Sequence, residues 1–170
     1  MTCRPLCVTM ELKGLDVQTF LPYEDYERSA KCLDQLRLGK QIMEAGQILR
    51  ALTVPEYGWK SHPATKMWAG YEPQLYLYAM DMSVEWYDRR GKVHGATTRI
   101  MKEFGGALAT IKPITLDGDG PKPPWMGGYI HVTHQSNLLR KDPEHYGQFY
   151  WEVPDDLEYF WPVADPVIIG

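Results

Sequence analysis

The chain is poor in cysteine: among 170 residues only Cys3, Cys7 and Cys32 occur, an odd set with no CxxC pair. That excludes a disulfide framework or a cysteine-rich zinc site and suits free thiols in a reducing compartment. No apolar run approaches the roughly 20 residues of a membrane span, and the opening MTCRPLCVTMELKG has no continuous apolar core of the kind a secretory signal carries. A cytoplasmic protein without membrane contact is expected. The signatures GxGxxG, GxxxxGK[ST] and GxSxG and the kinase set are missing as well, so no nucleotide cofactor, nor any other cofactor, is expected. Excess positive charge is also lacking. The formal net charge of −4 argues against a non-specific nucleic-acid coat protein, because phosphate neutralisation normally requires a basic domain.

What is present points elsewhere. Six Trp and eleven Tyr are many for this length, and such rings serve either a core or a stacking platform for bases or sugars. The charges are uneven: Asp155, Asp156, Glu158 and Asp165 crowd the C-terminal tail, whereas Arg28, Lys31, Arg37, Lys40, Arg50, Lys60 and Lys66 lie in the first part of the chain. This asymmetry leaves room for a DNA-facing side.

The most organised stretch is LDQLRLGKQIMEAGQILRAL, residues 33–52. At 100° per residue, Leu38, Ile42, Ala45, Leu49 and Leu52 form one core-facing stripe, and Arg37, Lys40, Gln41 and Glu44 fall together on another side. Two cations at i−4 and i−7 favour the charged form of Glu44. From this segment alone the plainer reading is an exposed ion-pair pattern on an amphipathic helix.

Around it, residues 1–17 read as an N-terminal arm and 18–170 as one compact helical domain. VQTFLPY, Val17 to Tyr23, reads as an extended entry, and a short helix is predicted from Asp25 through Lys31. A further short helix capped by Ser61 runs to about Ala69. Another starts near Pro73 with Leu75, Tyr78, Ala79, Met82 and Trp86 on a broad apolar face and is closed by Gly91, and a third spans His94 to Phe104, ended by Gly105-Gly106. Ile111 to Gly128, with DGDG and PKPP inside it, reads as an irregular loop. Helices over Ile130 to Arg140 and after Asp142-Pro143 follow, then an aromatic, proline-punctuated tail wraps back over the domain. With no internal repeat and few alternating segments, the fold class is all-α with long irregular connections.

The second dense segment is YIHVTHQSNLLRKDPEHYG, residues 129–147. His131 and His134 share a helical face continued by Asn137 and Lys141. HVTH lacks the glutamate of HExxH and a third ligand, so no metal is expected. Hydrogen-bonded structure is one use of the two histidines; the other is contact with a nucleic-acid backbone by His134, Asn137, Arg140 and Lys141. Trp59, His62, Trp68 and Tyr71 fit core packing better than an aromatic wall beside Glu44.

RLGKQIMEAGQIL (37–49), GWKSHPATKMWAGYE (58–72) and HVTHQSNLLRKDPEHYG (131–147) together resemble a family of small bacterial and phage proteins grouped with the pyrimidine-dimer DNA glycosylases, endonuclease V-like enzymes. The resemblance runs from about Thr19 to Pro162. It implies an all-α fold, a flipped-out nucleotide and cleavage of a glycosidic bond centred on one carboxylate, which by position in the motif is Glu44. It also implies an amine nucleophile, here the terminal amine on Thr2 after removal of Met1; where that amine does not reach Glu44, the alternatives are water activated by Glu44 or Lys40 as the amine. The implied partner is DNA carrying a damaged or modified base, gripped by Arg37, Gln41, His62, His131, His134, Asn137, Arg140 and Lys141, and the protein acts as a monomer. Met43 and Gln47 stand where the phage enzyme has arginines, so its way of holding DNA does not carry over. A non-catalytic nucleic-acid-binding module and a hydrolase of free nucleosides are the alternative readings.

Overall fold

The computed structural model describes residues 17–111 and 121–162, with 108–111 as backbone alone. Most of the expected arm, including Thr2, Cys3 and Cys7, lies outside these residues; Val17, its last residue, is in the core. Among the described residues there are helices and no strand: α1 (Tyr26–Cys32), α2 (Gln35–Thr53), α3 (Pro63–Trp68), α4 (Glu72–Arg90), α5 (Gly95–Ile111), α6 (Tyr129–Lys141) and α7 (Pro143–Tyr146), followed by a 3-10 turn at Gly147–Phe149. The fold is all-α, as its periodicities require.

The helix starts follow from side-chain caps. Asp25 accepts the Arg28 amide at 2.6 Å for α1, and Asp34 accepts the Arg37 amide at 2.9 Å for α2. At α3 the cap is His62, whose Nδ1 accepts the Ala64 amide at 3.1 Å, one residue beyond the expected Ser61. Helix α5 does not stop at Gly105-Gly106 but continues to Ile111. Two glycines cost a helix about 1 kcal/mol each, and buried Ala96, Ile100 and Phe104 already fix its axis, so the following Ala-Leu-Ala stretch carries the helix on.

Helix α2 is central and packs on α3, α4 and α5. Leu38, Ile42, Ala45 and Leu49 are wholly buried on the predicted stripe. Two glycines let its neighbours come close: a Cβ on Gly39 would stand 2.7 Å from a Trp86 ring carbon, and one on Gly46 3.0 Å from Ile100. The tail lies along α6, with the Leu157 amide donating to Ser136 Oγ at 3.0 Å and Asn137 Nδ2 donating to the Leu157 carbonyl at 3.0 Å. Trp151 Nε1 reaches the Tyr23 hydroxyl at 2.8 Å.

The entry segment 17–22 is extended yet has no partner strand, so its buried peptide groups need side chains. The Phe20 amide donates to Gln41 Oε1 at 2.7 Å, and the Leu21 amide to His134 Nδ1 at 2.8 Å. His131 Nδ1 donates to the Leu21 carbonyl at 2.7 Å, and Gln135 Nε2 to the Pro22 carbonyl at 2.8 Å. Trp68 Nε1 donates to Thr19 Oγ1 at 2.9 Å. Helices α2, α3 and α6 therefore close around this segment, and it enters directly beside Glu44.

Candidate active site

Glu44 leaves the middle of α2 on the edge between its core stripe and its exposed side, and only 5% of it is exposed. This overturns the ion-pair ladder on an open surface. Its Oε2 accepts Gln41 Nε2 at 2.9 Å, and its Oε1 lies 3.4 Å from Lys40 Nζ. The Gln18 backbone N–H also donates to the carboxylate. Lys40 itself is half-exposed, so the pair joins a buried acid to a solvent-facing amine.

Burial pushes the Glu44 carboxyl up from its ordinary value to about 7, with Lys40 and the hydrogen bonds from Gln18 and Gln41 pulling the other way. A carboxyl poised there exchanges a proton near neutral pH, as a general acid or base must. It also has a cation beside it that steadies the ionised form. Gln41, placed by sequence on the DNA-facing side, is wholly buried, and its second job is to hold the entry segment.

Arg37 belongs to a different cluster at the start of α2. Its guanidinium donates to Asp34 Oδ2 at 2.5 Å and lies 3.8 Å from Asp142 and over the Tyr146 ring. Tyr146 Oη donates to the same Asp34 oxygen at 2.7 Å. Arg37 thereby ties α2 to α7, and Lys40 is the cation that touches Glu44.

The α6 row turns inward. His134 and Asn137 are buried and His131 nearly so. His134 takes the Leu21 amide, and burial, helped by neighbouring His131, pushes its imidazole down to about 3, so it is neutral. His131 bridges the Leu21 carbonyl and the Gly127 amide, which lies 2.9 Å from its Nε2. Asn137 Oδ1 is hydrogen-bonded by Arg140. These three side chains therefore serve the interior, and the exposed part of the predicted row is Arg140 and Lys141. His62 packs edge-on against Trp59 and Trp161. Trp68 is core, as expected, with Trp125 against its edge at 5.0 Å.

Among the described residues no group of three His, Cys, Asp or Glu is placed to hold a metal ion, and no helix is long and apolar enough to cross a membrane. Cys32 is buried and its thiol is pushed up to about 12 by desolvation, which makes it a poor nucleophile.

Sequence reasoning missed Gln18 and Tyr78 as parts of this site. Tyr78 reads as one more apolar-face aromatic, but its hydroxyl lies 2.7 Å from Gln41 Oε1 and 3.1 Å from the Phe20 carbonyl. The signal that could have found both is the extended entry itself, whose buried peptide groups demand polar partners in an all-helical fold.

No curated protein and no solved structure matches the chain. Residues 17–99 match the family model described as pyrimidine dimer DNA glycosylase, a span that holds the entry segment, Lys40, Gln41, Glu44 and Tyr78. That match, over just under half of the chain, supports a grouping with the pyrimidine-dimer DNA glycosylases and, in general terms, DNA glycosylase-like activity.

Proposed function

We propose that the protein removes a damaged or modified pyrimidine from DNA by cleaving its N-glycosidic bond, leaving an abasic site. The observation that carries this reading is Glu44: a buried carboxyl raised to about 7, 3.4 Å from the half-exposed Lys40 amine. Departure of the base builds positive charge on the sugar ring. A fixed carboxylate beside C1′ stabilises that charge, and in its protonated form it supplies a proton to the leaving side. Taking the base out of the stack brings C1′ within reach.

Lys40 is the described amine nearest Glu44. Attack of its neutral amine on C1′ would form a C–N bond as the glycosidic bond breaks and the departing base takes up a proton; cleavage of the C1′–O4′ bond then gives an imine, and loss of a C2′ proton expels the 3′ phosphate, giving AP-lyase activity. Thr2 supplies the other amine, and water activated by Glu44 gives a glycosylase without lyase activity. Lys40, Arg140 and Lys141 contribute positive charge to the DNA contact, and the protein works as a cytoplasmic monomer. The substrate is a photodimer or, since Met43 and Gln47 replace arginines of the phage enzyme, a bulky base such as glucosylated hydroxymethylcytosine, which would make the protein a defence factor.

The test is abasic-site formation across ultraviolet-irradiated DNA, glucosylated phage DNA and free nucleosides, with borohydride trapping of any covalent adduct. Release from at least one DNA substrate is expected. DNA binding without abasic sites on any substrate supports the non-catalytic module instead, and release from free nucleosides alone supports the nucleoside hydrolase. An adduct that persists in a Thr2-blocked variant and vanishes in Lys40→Ala identifies Lys40.

A further inference from the structure

The two oxygens of Glu44 have different surroundings, and Gln41 makes them so. The Gln41 amide cannot be turned over. Its Oε1 faces the Phe20 N–H at 2.7 Å, which can only donate, and the Tyr78 hydroxyl also at 2.7 Å. Reversal would set an NH2 group against an N–H and an amide oxygen against a carboxylate. Nε2 is therefore directed at Glu44 Oε2, 2.9 Å away. Tyr78 is itself fully buried on α4, and its hydroxyl is kept neutral by burial and by the nearby Glu44 charge.

We infer that Gln41, locked by Tyr78 and the Phe20 amide, is a positioning residue that reserves Glu44 Oε2 as a hydrogen-bond acceptor and leaves Oε1, on the Lys40 side, as the oxygen that gains and loses the proton. This rests on the glycosylase reading only for its catalytic consequence; the proton assignment stands on geometry alone. The groups facing the carboxyl are Lys40 and Gln41 from its own helix, neutral Tyr78 from α4 and the Gln18 N–H of the entry segment, which also donates to the carboxylate; His134, which enters from α6, holds that same segment and is neutral too. Proton exchange is thus directed toward solvent and the half-exposed amine, not into the core.

The experiment titrates the Glu44 carboxyl by carbon-13 NMR in the DNA-free full chain, in wild type, Gln41→Leu and Tyr78→Phe, with the pH profile of abasic-site formation measured on the same three proteins. Loss of one hydrogen bond to a charged acceptor is expected to raise the Gln41→Leu midpoint by about one pH unit or more. The acid limb of the profile should shift equally, with kcat down roughly tenfold and KM little changed. Tyr78→Phe keeps the packing and loosens the amide, so it should shift both readouts the same way by a smaller amount. Folded variants whose Glu44 midpoint equals wild type would overturn the inference. An unfolded Gln41→Leu leaves the decision to Tyr78→Phe, where an unmoved midpoint does the same. If the midpoints shift as expected but the wild type forms no abasic sites on any DNA substrate, the glycosylase reading fails and the positioning role stands.

Discussion

Helices α2 and α6 both bury polar side chains against the same six-residue entry segment, yet they end in opposite electrostatic states. On α6, His131, His134 and Asn137 are neutral and spend their polar groups on the Leu21 and Gly127 backbone, the tail and Arg140. On α2, Gln41 does the same work for Phe20, and the next side chain along, Glu44, remains ionisable with an amine at its side. A neutral polar group that pairs with the core's own backbone is architecture, even where one of its atoms, His134 Nε2, finds no partner. A carboxyl held there at a desolvation cost, with a solvent-facing amine within 3.4 Å, is the arrangement that catalytic sites use.

The contrast predicts opposite responses to substitution. Removing His134 should cost most: His134→Ala leaves the Leu21 N–H unpaired and opens a cavity, for a loss of about 3 kcal/mol in denaturant unfolding. A loss below the error of the measurement would mean that α6 does not hold the entry segment.

Glu44→Gln should instead stabilise the fold at alkaline pH. The folded pKa of Glu44, about 7, lies above its ordinary 4.5, so the stability that the protonated form contributes is complete below 4.5 and is lost as pH rises through 7. Relative to wild type, Glu44→Gln is expected to gain about 2 kcal/mol between roughly pH 5 and 8.5, with unfolding followed at both pH values. The same gain at both would place the effect outside Glu44 ionisation.

Much of this was legible from spacing. The stripe Leu38, Ile42, Ala45, Leu49 is buried as the 3.6 period demands, and the helix ends near Asp25, Pro73, Gly91 and Pro143 follow the caps and breakers. The position of α5's end was not, because Gly105-Gly106 is a weak local signal against a helix already anchored by Ile100 and Phe104. The burial of Gln41 and Glu44 was not legible either. Helical spacing places them side by side, but what covers them is segment 17–21, more than twenty residues away in sequence and without periodicity of its own. Likewise His131 and His134 share a face as spacing shows, and only the tertiary path of the entry segment decides that this face looks inward.

Smaller effects sharpen the comparison. Asp34 caps α2 and receives Tyr146, and its hydrogen bonds with the Arg37 amide, Tyr146 and Arg37 hold its carboxyl below the usual range despite partial burial. Asp34→Ala should cost about 1–2 kcal/mol in thermal or denaturant unfolding without changing the Glu44 titration. Because the folded pKa is lowered, wild type should lose this contribution as pH falls below the ordinary 3.8. Exposed Arg140 and Lys141 should matter least to the fold: replacing Lys141 with Ala is expected to alter stability by less than about 0.5 kcal/mol while weakening DNA binding in a salt-dependent way.

The central claim concerns one carboxyl, and the most direct measurement is the rate of abasic-site formation at about pH 7 by wild type and Glu44→Gln on the same base-modified DNA, with folding checked by unfolding curves. Loss of the group that handles the proton and the ring charge predicts a fall of at least about a hundredfold in a variant that is folded and still binds DNA. Equal rates for the two proteins would contradict the account.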